Sequence, residues 1–191
     1  MVMSAKCFAR LVVLTFLVFG LAAAPATAGD ENDISGKTGL GYQGMAVGSF
    51  LNGISLRSWA LGNVGLEGNL FYGGIDVDIE NGSFTADADL YLFEGKAMYA
   101  FIVKENSRFY AGGKFGWGRF DVNLNDAGVD GDIFSLGAFI GSEWNFQGIP
   151  ELGFNFDVGY SYNWYDDEIM DTDIDISLDG ISATFGIHYY F

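Results

Sequence analysis

Ile181 to Phe191 reads ISATFGIHYYF, and its alternation decides the fold. Ile181, Ala183, Phe185, Ile187, Tyr189 and Phe191 share one side of an extended chain, and Ser182, Thr184, Gly186, His188 and Tyr190 share the other. Side chains of a strand point alternately to its two faces, so one face of this segment can meet lipid while the other meets a polar interior.

The opposite end of the chain supplies an address. Lys6 and Arg10 precede an apolar run from Leu11 to Ala24, and Ala26, Thr27 and Ala28 provide the small residues of a cleavage site. Residues 1–28 therefore read as a cleaved secretory signal peptide, and 29–37 as a short periplasmic segment before the main domain, 38–191. The apolar run is too short for a ~20-residue spanning helix. Cys7 is the sole cysteine and lies within the signal, so neither a disulfide nor a thiolate metal site is expected in the mature chain.

About 163 residues remain after cleavage, the size of one domain. The whole sequence is 50% hydrophobic and 17% aromatic, with 28 Gly and 2 Pro, yet its net charge is −16. Losing Lys6 and Arg10 makes the mature chain more acidic still. Apolar residues in alternating strands and acids in the links between them reconcile the two properties. Such a surface disfavours nucleic acid, whose phosphates require clustered Lys and Arg.

The terminal pattern recurs along the chain. Leu152 to Tyr165 places Phe154, Phe156, Val158, Tyr160, Tyr162 and Trp164 outward. Phe134 to Phe146 alternates likewise, with Phe139 as its one inward aromatic, and so does Arg108 to Gly118, beyond which the phase slips and a bulge is expected after Arg119. Tyr91 to Phe101, Val64 to Tyr72, Leu40 to Ala46 and Ile54 to Leu61 complete eight strands. Val47 to Gly53 reads either as an outer loop or as an extension of its flanking strands. Leu61 to Asn63, Val103 to Ser107 and Gln147 to Glu151 read as tight turns; Asp76 to Asp87, Asn123 to Asp132 and Asp166 to Asp175 read as longer polar loops. Short turns alternating with long loops suit an all-β, eight-stranded antiparallel up-and-down transmembrane barrel with both termini at one side.

In that register Arg57, Glu67, Glu94, Lys96, Lys114, Glu143 and Asp157 point inward. Eight strands enclose a space that side chains can fill, so these charges read as a paired polar plug, with Gly112, Gly116, Gly137 and Gly141 making room for it. A narrow pore is the rival reading. Most of the 25 acids crowd the three longer links, and among them Asp166, Asp167, Glu168, Asp171, Asp173 and Asp175 are candidate Ca²⁺ ligands, although the spacing lacks the central Gly and terminal Glu of an EF-hand loop. His188 faces inward near the periplasmic rim, and Ser161 or Ser182 could be near it only by coincidence of register. No phosphate loop, zinc spacing or haem motif occurs, so neither enzymatic activity nor a cofactor is expected.

The ordered set, eight alternating strands behind a signal peptide, the ISLRSWA segment with Arg57, and a last strand ending on Phe191, resembles the small outer-membrane barrels of Gram-negative bacteria of the OmpA, OmpX and opacity-protein types. That resemblance implies a location in the outer membrane and contact with its lipid and lipopolysaccharide. It also implies that the barrel-assembly machinery reads Phe185, Ile187, Tyr189 and Phe191. The expected function is a structural or surface-interaction role for a monomer, with divalent cations as candidate partners of the acidic loops. A lipid-modifying enzyme is the less favoured alternative, because the family's catalytic groups lie at the end opposite His188. A soluble lipocalin-like barrel is disfavoured by the outward aromatic rows.

Overall fold

A computed structural model describes residues 34–191 apart from 48, 80–83, 125–126 and 170–171. The signal peptide expected at 1–28 lies outside the described residues. Eight strands follow one another: β1 (Thr38–Val47), β2 (Ser49–Leu61), β3 (Val64–Ile79), β4 (Phe84–Lys104), β5 (Ser107–Leu124), β6 (Ala127–Phe146), β7 (Ile149–Ile169) and β8 (Thr172–Tyr190). Each pairs antiparallel with the next, and β1 pairs with β8 from Gly39↔Tyr190 to Ala46↔Ala183, closing the barrel. The seam is finished by reciprocal backbone hydrogen bonds between Thr38 and Phe191.

Closure follows from the sequence. Every backbone N–H and C=O in hydrocarbon needs a partner within the protein, and only a closed sheet gives each strand two neighbours. Pro150 is tolerated because it stands at the start of β7. The turn end carries two-residue links at 62–63, 105–106 and 147–148. Gly62 adopts φ +65 there, a conformation that costs glycine little.

The expected outward rows face outward. Leu136, Ile140, Trp144, Tyr160 and Ile181 are among the exposed apolar residues that girdle the barrel. One ladder row, Leu70, Phe93, Trp117, Phe134 and Trp164, forms an aromatic ring, in which Phe134 and Trp164 stack with centroids 6.0 Å apart. Trp144, Phe146, Phe154 and Tyr189 form a second near the termini. Phe134 and Trp144 are ten steps apart on β6, about 33 Å of strand or about 25 Å once tilted, the height of an apolar membrane band.

Three expectations meet the distal and terminal strands, two of them as corrections. The links at Asp76–Asp87, Asn123–Asp132 and Asp166–Asp175 are mostly strand: Asp76 pairs with Asp87, Asp121 with Asp130, and Asp166 with Asp175. The bulge expected after Arg119 is absent, since β5 and β6 pair without a shift from Gly118↔Ile133 to Leu124↔Ala127. Register shifts fall instead at Ser58/Leu61, Ala100/Ile102 and Asn145/Phe146, all near the terminal end. The third offers Val47 to Gly53 as an outer loop or an extension of its flanking strands, and the extension is the one observed, with pairing out to Val47↔Ser49.

One physical cause underlies the first two. Past the aromatic ring the strands leave hydrocarbon, and the two faces exchange polarity while the pleat continues. Arg119, Asp121 and Asn123 are exposed on the outer face, whereas Phe120 and Val122 are half-buried on the inner one. A phase slip and an inversion of polarity look alike in sequence, because each moves apolar residues to the other parity.

Candidate functional site

The interior is layered. At the terminal end Ile34, Trp59, Met98, Ala100, Tyr110, Phe139 and Tyr190 form an apolar cluster. The segment before β1 is tucked into it: Gly36 N–H donates to Trp59 C=O at 2.9 Å, and Arg108 donates to Ser35 Oγ at 2.9 Å and to Gly62 C=O at 3.1 Å. The Arg108 guanidinium lies 4.9 Å from the Trp59 ring, a cation–π contact that closes this mouth.

Above that cluster lies the charged layer, and the seven lumen charges expected from sequence are all buried in it. Arg57 on β2 binds Glu67 on β3 through its Nε and Nη2 atoms. It also donates to Tyr110 Oη at 3.1 Å and lies 3.4 Å from Glu143 and 3.9 Å from Asp157. Lys96 on β4 reaches Asp157 at 2.8 Å, Glu67 at 2.9 Å and Glu94 at 3.6 Å. Lys114 on β5 faces Lys96 directly across the ladder, a like-charge pairing that would repel. Glu94 at 3.3 Å and the Ser182 hydroxyl at 2.9 Å offset it.

The second carboxylate of this layer is anchored by aromatic donors. Trp59 Nε1–H donates to Glu143 at 2.8 Å, and the Tyr190 hydroxyl donates to the other oxygen of the same carboxylate. Tyr110 Oη–H donates to Asp157 at 2.5 Å, and Thr184 donates to it at 2.9 Å. These links join strands that share no ladder, β2 to β6 and β4 to β7, so the network braces the barrel across its diameter. Buried charges are tolerable when paired and hydrogen-bonded in this way, and each left alone would cost several kcal/mol. The interstice among Lys96, Lys114, Phe139, Asp157, Ser182 and Thr184 is too tight for a water molecule.

The glycines create the necessary room. A Cβ on Gly141 would sit 2.9 Å from Tyr110 Cζ, and one on Gly137 3.1 Å from Lys114 Cε. Gly141→Ala is expected to lower stability by about 1–3 kcal/mol through overpacking. Gly113→Ala, on the outer face with its nearest neighbour at 3.8 Å, should be close to neutral. Urea titrations of the two variants refolded in bilayers check the contrast.

His188 is fully buried, and its Nε2 lies 2.8 Å from Ser55 Oγ. Neither Ser161 nor Ser182 reaches it; they bond each other at 3.1 Å. Ser55 was missed because β1 separates β2 from β8, although Gly41 pairs with both Ser55 and His188 and leaves the space between them. Beside this pair, Gln43 and Asn155 are buried without hydrogen-bond partners among the described residues. The Ser–His pair is buried, and His188 Nδ1 has no hydrogen-bond partner among the described residues.

The acidic residues proposed as Ca²⁺ ligands do not form a describable site. Asp171 lies outside the described residues, as do the side chains of Asp166, Asp167, Glu168, Asp173 and Asp175. Their expected loop is in fact the end of β7 and the start of β8, with Glu168 opposite Asp173. Among the described residues no group of three acids or histidines could hold a metal ion. Of the terminal aromatic signal, Phe185, Tyr189 and Phe191 are exposed on the outer face, and Ile187 is half-buried there.

An apolar exterior around a filled, charged interior defines the class: a closed eight-stranded barrel with the fold of small outer-membrane barrels. No protein-family model matches the sequence, and no curated protein does. Among solved structures, a major outer membrane protein from Thermus thermophilus superposes with a TM-score of 0.58 at 12% identity, over 81% of this chain and 98% of that one. Outer membrane protein H of P. aeruginosa gives 0.49 at 11% identity, over 81% and 99%. At such identities the likeness concerns the fold alone.

Proposed function

We propose that this chain is an outer-membrane protein, exported through a cleaved signal peptide, whose role is structural and surface-interacting rather than conductive or enzymatic. The carrying observation is the closed lumen: apolar clusters at both ends flank a charged layer whose three cations meet four carboxylates. An aqueous pore requires a continuous wet path, and the packing of this layer among the described residues speaks against one. In this reading the chain acts as a monomer held by outer-membrane lipid and recognised by the assembly machinery through its last strand. The acidic distal end lies outside the cell against lipopolysaccharide, with divalent cations between the two anionic surfaces.

Two measurements test it. In planar bilayers the refolded protein should give no single-channel steps; regular steps like those of water-filled barrels would replace the plug with a pore. Because the mature chain has no cysteine, single cysteines report sidedness cleanly. Asn123→Cys should react with a membrane-impermeant maleimide on intact cells, and Lys104→Cys should react only after lysis. The reverse pattern would put the acidic end in the periplasm.

A further inference from the structure

The wall of the distal half is incomplete. β1 ends at Val47 and β2 begins at Ser49, whereas the other six strands run on. Pairing of β8 with β1 stops at Ala46↔Ala183, and pairing of β3 with β2 stops at Asn52↔Tyr72. Beyond those points β3 to β8 form a curved six-stranded sheet, still paired out to Ile79↔Phe84, Leu124↔Ala127 and Ile169↔Thr172. Among the described residues its two edges, 73–79 of β3 and 172–182 of β8, have no strand partner on one side. In a complete wall two strands would lie between those edges, so the slot spans three strand spacings, about 14 Å at ~4.8 Å each.

The concave face of this sheet is apolar along β4, β5 and the distal part of β6, while Ser135, Ser161 and Asn163 add polar groups to it lower on β6 and on β7. Leu90 and Leu92 on β4, Phe120 and Val122 on β5 and Ile133 on β6 face inward yet are only half-buried. Below them Met45, Leu51 and Phe71 form a buried cluster against which Leu90 and Leu92 pack. The sequence continues the apolar–acid alternation along the edge strands, with Ile75-Asp76-Val77-Asp78-Ile79 on β3 and Ile174-Asp175-Ile176 on β8. Outside, Asp87, Asp121, Asp130 and Asp179 are exposed, and Arg119 is paired with Asp130.

We propose that this cleft binds the aliphatic chain of a single-chain amphiphile with a neutral or cationic headgroup, admitted sideways over the short β1–β2 hairpin. The inference rests on the membrane-barrel reading. Eight-stranded walls enclose room for one small ligand when side chains leave it unfilled, and half-buried leucines, phenylalanine, valine and isoleucine are the lining an aliphatic chain matches. The buried cluster and the paired charges beneath it suit the cleft to capture rather than passage. The surrounding carboxylates set a negative potential that disfavours anionic headgroups.

The test uses the full mature chain in lipid nanodiscs, with a heat-dependent gel shift establishing that the barrel has formed. A fluorescent dodecyl-trimethylammonium probe should show saturable binding, one per protein, above that of empty nanodiscs. Its carboxylate counterpart should bind at least tenfold more weakly. Leu90→Glu with Phe120→Glu should weaken the cationic probe at least tenfold. So should lengthening the β1–β2 hairpin by about six residues, ~10 Å per strand, which walls off the slot without touching the lining. A shifted barrel without saturable binding, or binding untouched by both variants, overturns the pocket. A dimer that protects amides of 73–79 and excludes the probe overturns it in favour of a second copy's strand. Failure of the gel shift would sink the barrel reading itself, and the pocket with it.

Discussion

Arg57→Met is expected to destabilise the barrel by about 3–5 kcal/mol, because it leaves buried carboxylates without their cation. Glu67 would lose its two-atom partner and keep only Lys96 and Asn69. Glu143 would keep Trp59 and Tyr190, and Asp157 would keep Lys96, Tyr110 and Thr184. Most of the loss therefore falls on the Arg57–Glu67 pair, which predicts a rescue. Arg57→Met with Glu67→Met replaces both ions by apolar groups of similar bulk and should recover at least half the loss, since removing a whole buried pair costs far less than breaking it. Urea unfolding of the refolded barrels in bilayers, followed by the gel shift, measures both. A single variant within about 1 kcal/mol of the parent would mean that water enters the lumen and screens these charges. That result would also revive the pore.

The sequence shows why that network could be anticipated and its neighbours could not. Arg57 sits between Leu56 and Ser58 on a strand whose outer face must be apolar, so parity alone turns it inward. Trp59 shares that parity and turns inward with it, but parity does not name its partner. Only the closed structure reveals its indole N–H on Glu143. Gln43 and Ser55 lie in weakly patterned strands rich in Gly and Ser, where a shift of one residue exchanges the faces at little cost to the pattern. The distal extensions were illegible for a different reason. Continuous outward apolar residues mark the length of a strand only within hydrocarbon. Asp121, Asn123 and Asp130 ended the apparent strands where the bilayer ends, and the backbone ladder continues past it.

Ile140→Arg and Asn123→Arg should separate these two environments by their stability. Ile140 stands on the outer face of β6 midway between the aromatic rings of Phe134 and Trp144, and it is 66% exposed, which in this protein means exposed to lipid. A charge there faces the middle of the bilayer, and the expected loss is about 2–4 kcal/mol. Asn123 lies on the same outer surface, on β5 beyond the ring, beside Asp121 and opposite Asp87. An arginine there meets water and two carboxylates, so its effect should stay within about 0.5 kcal/mol. The same mutation on one continuous face thus costs much in one place and nothing in the other, and the position of the change marks the bilayer boundary. Extending the series through Leu136, Phe134 and Asp132 on β6 should trace a falling penalty that vanishes at Asp132. A penalty persisting beyond Phe134 would mean that the distal strands lie in lipid, and that the inversion of polarity has some other cause.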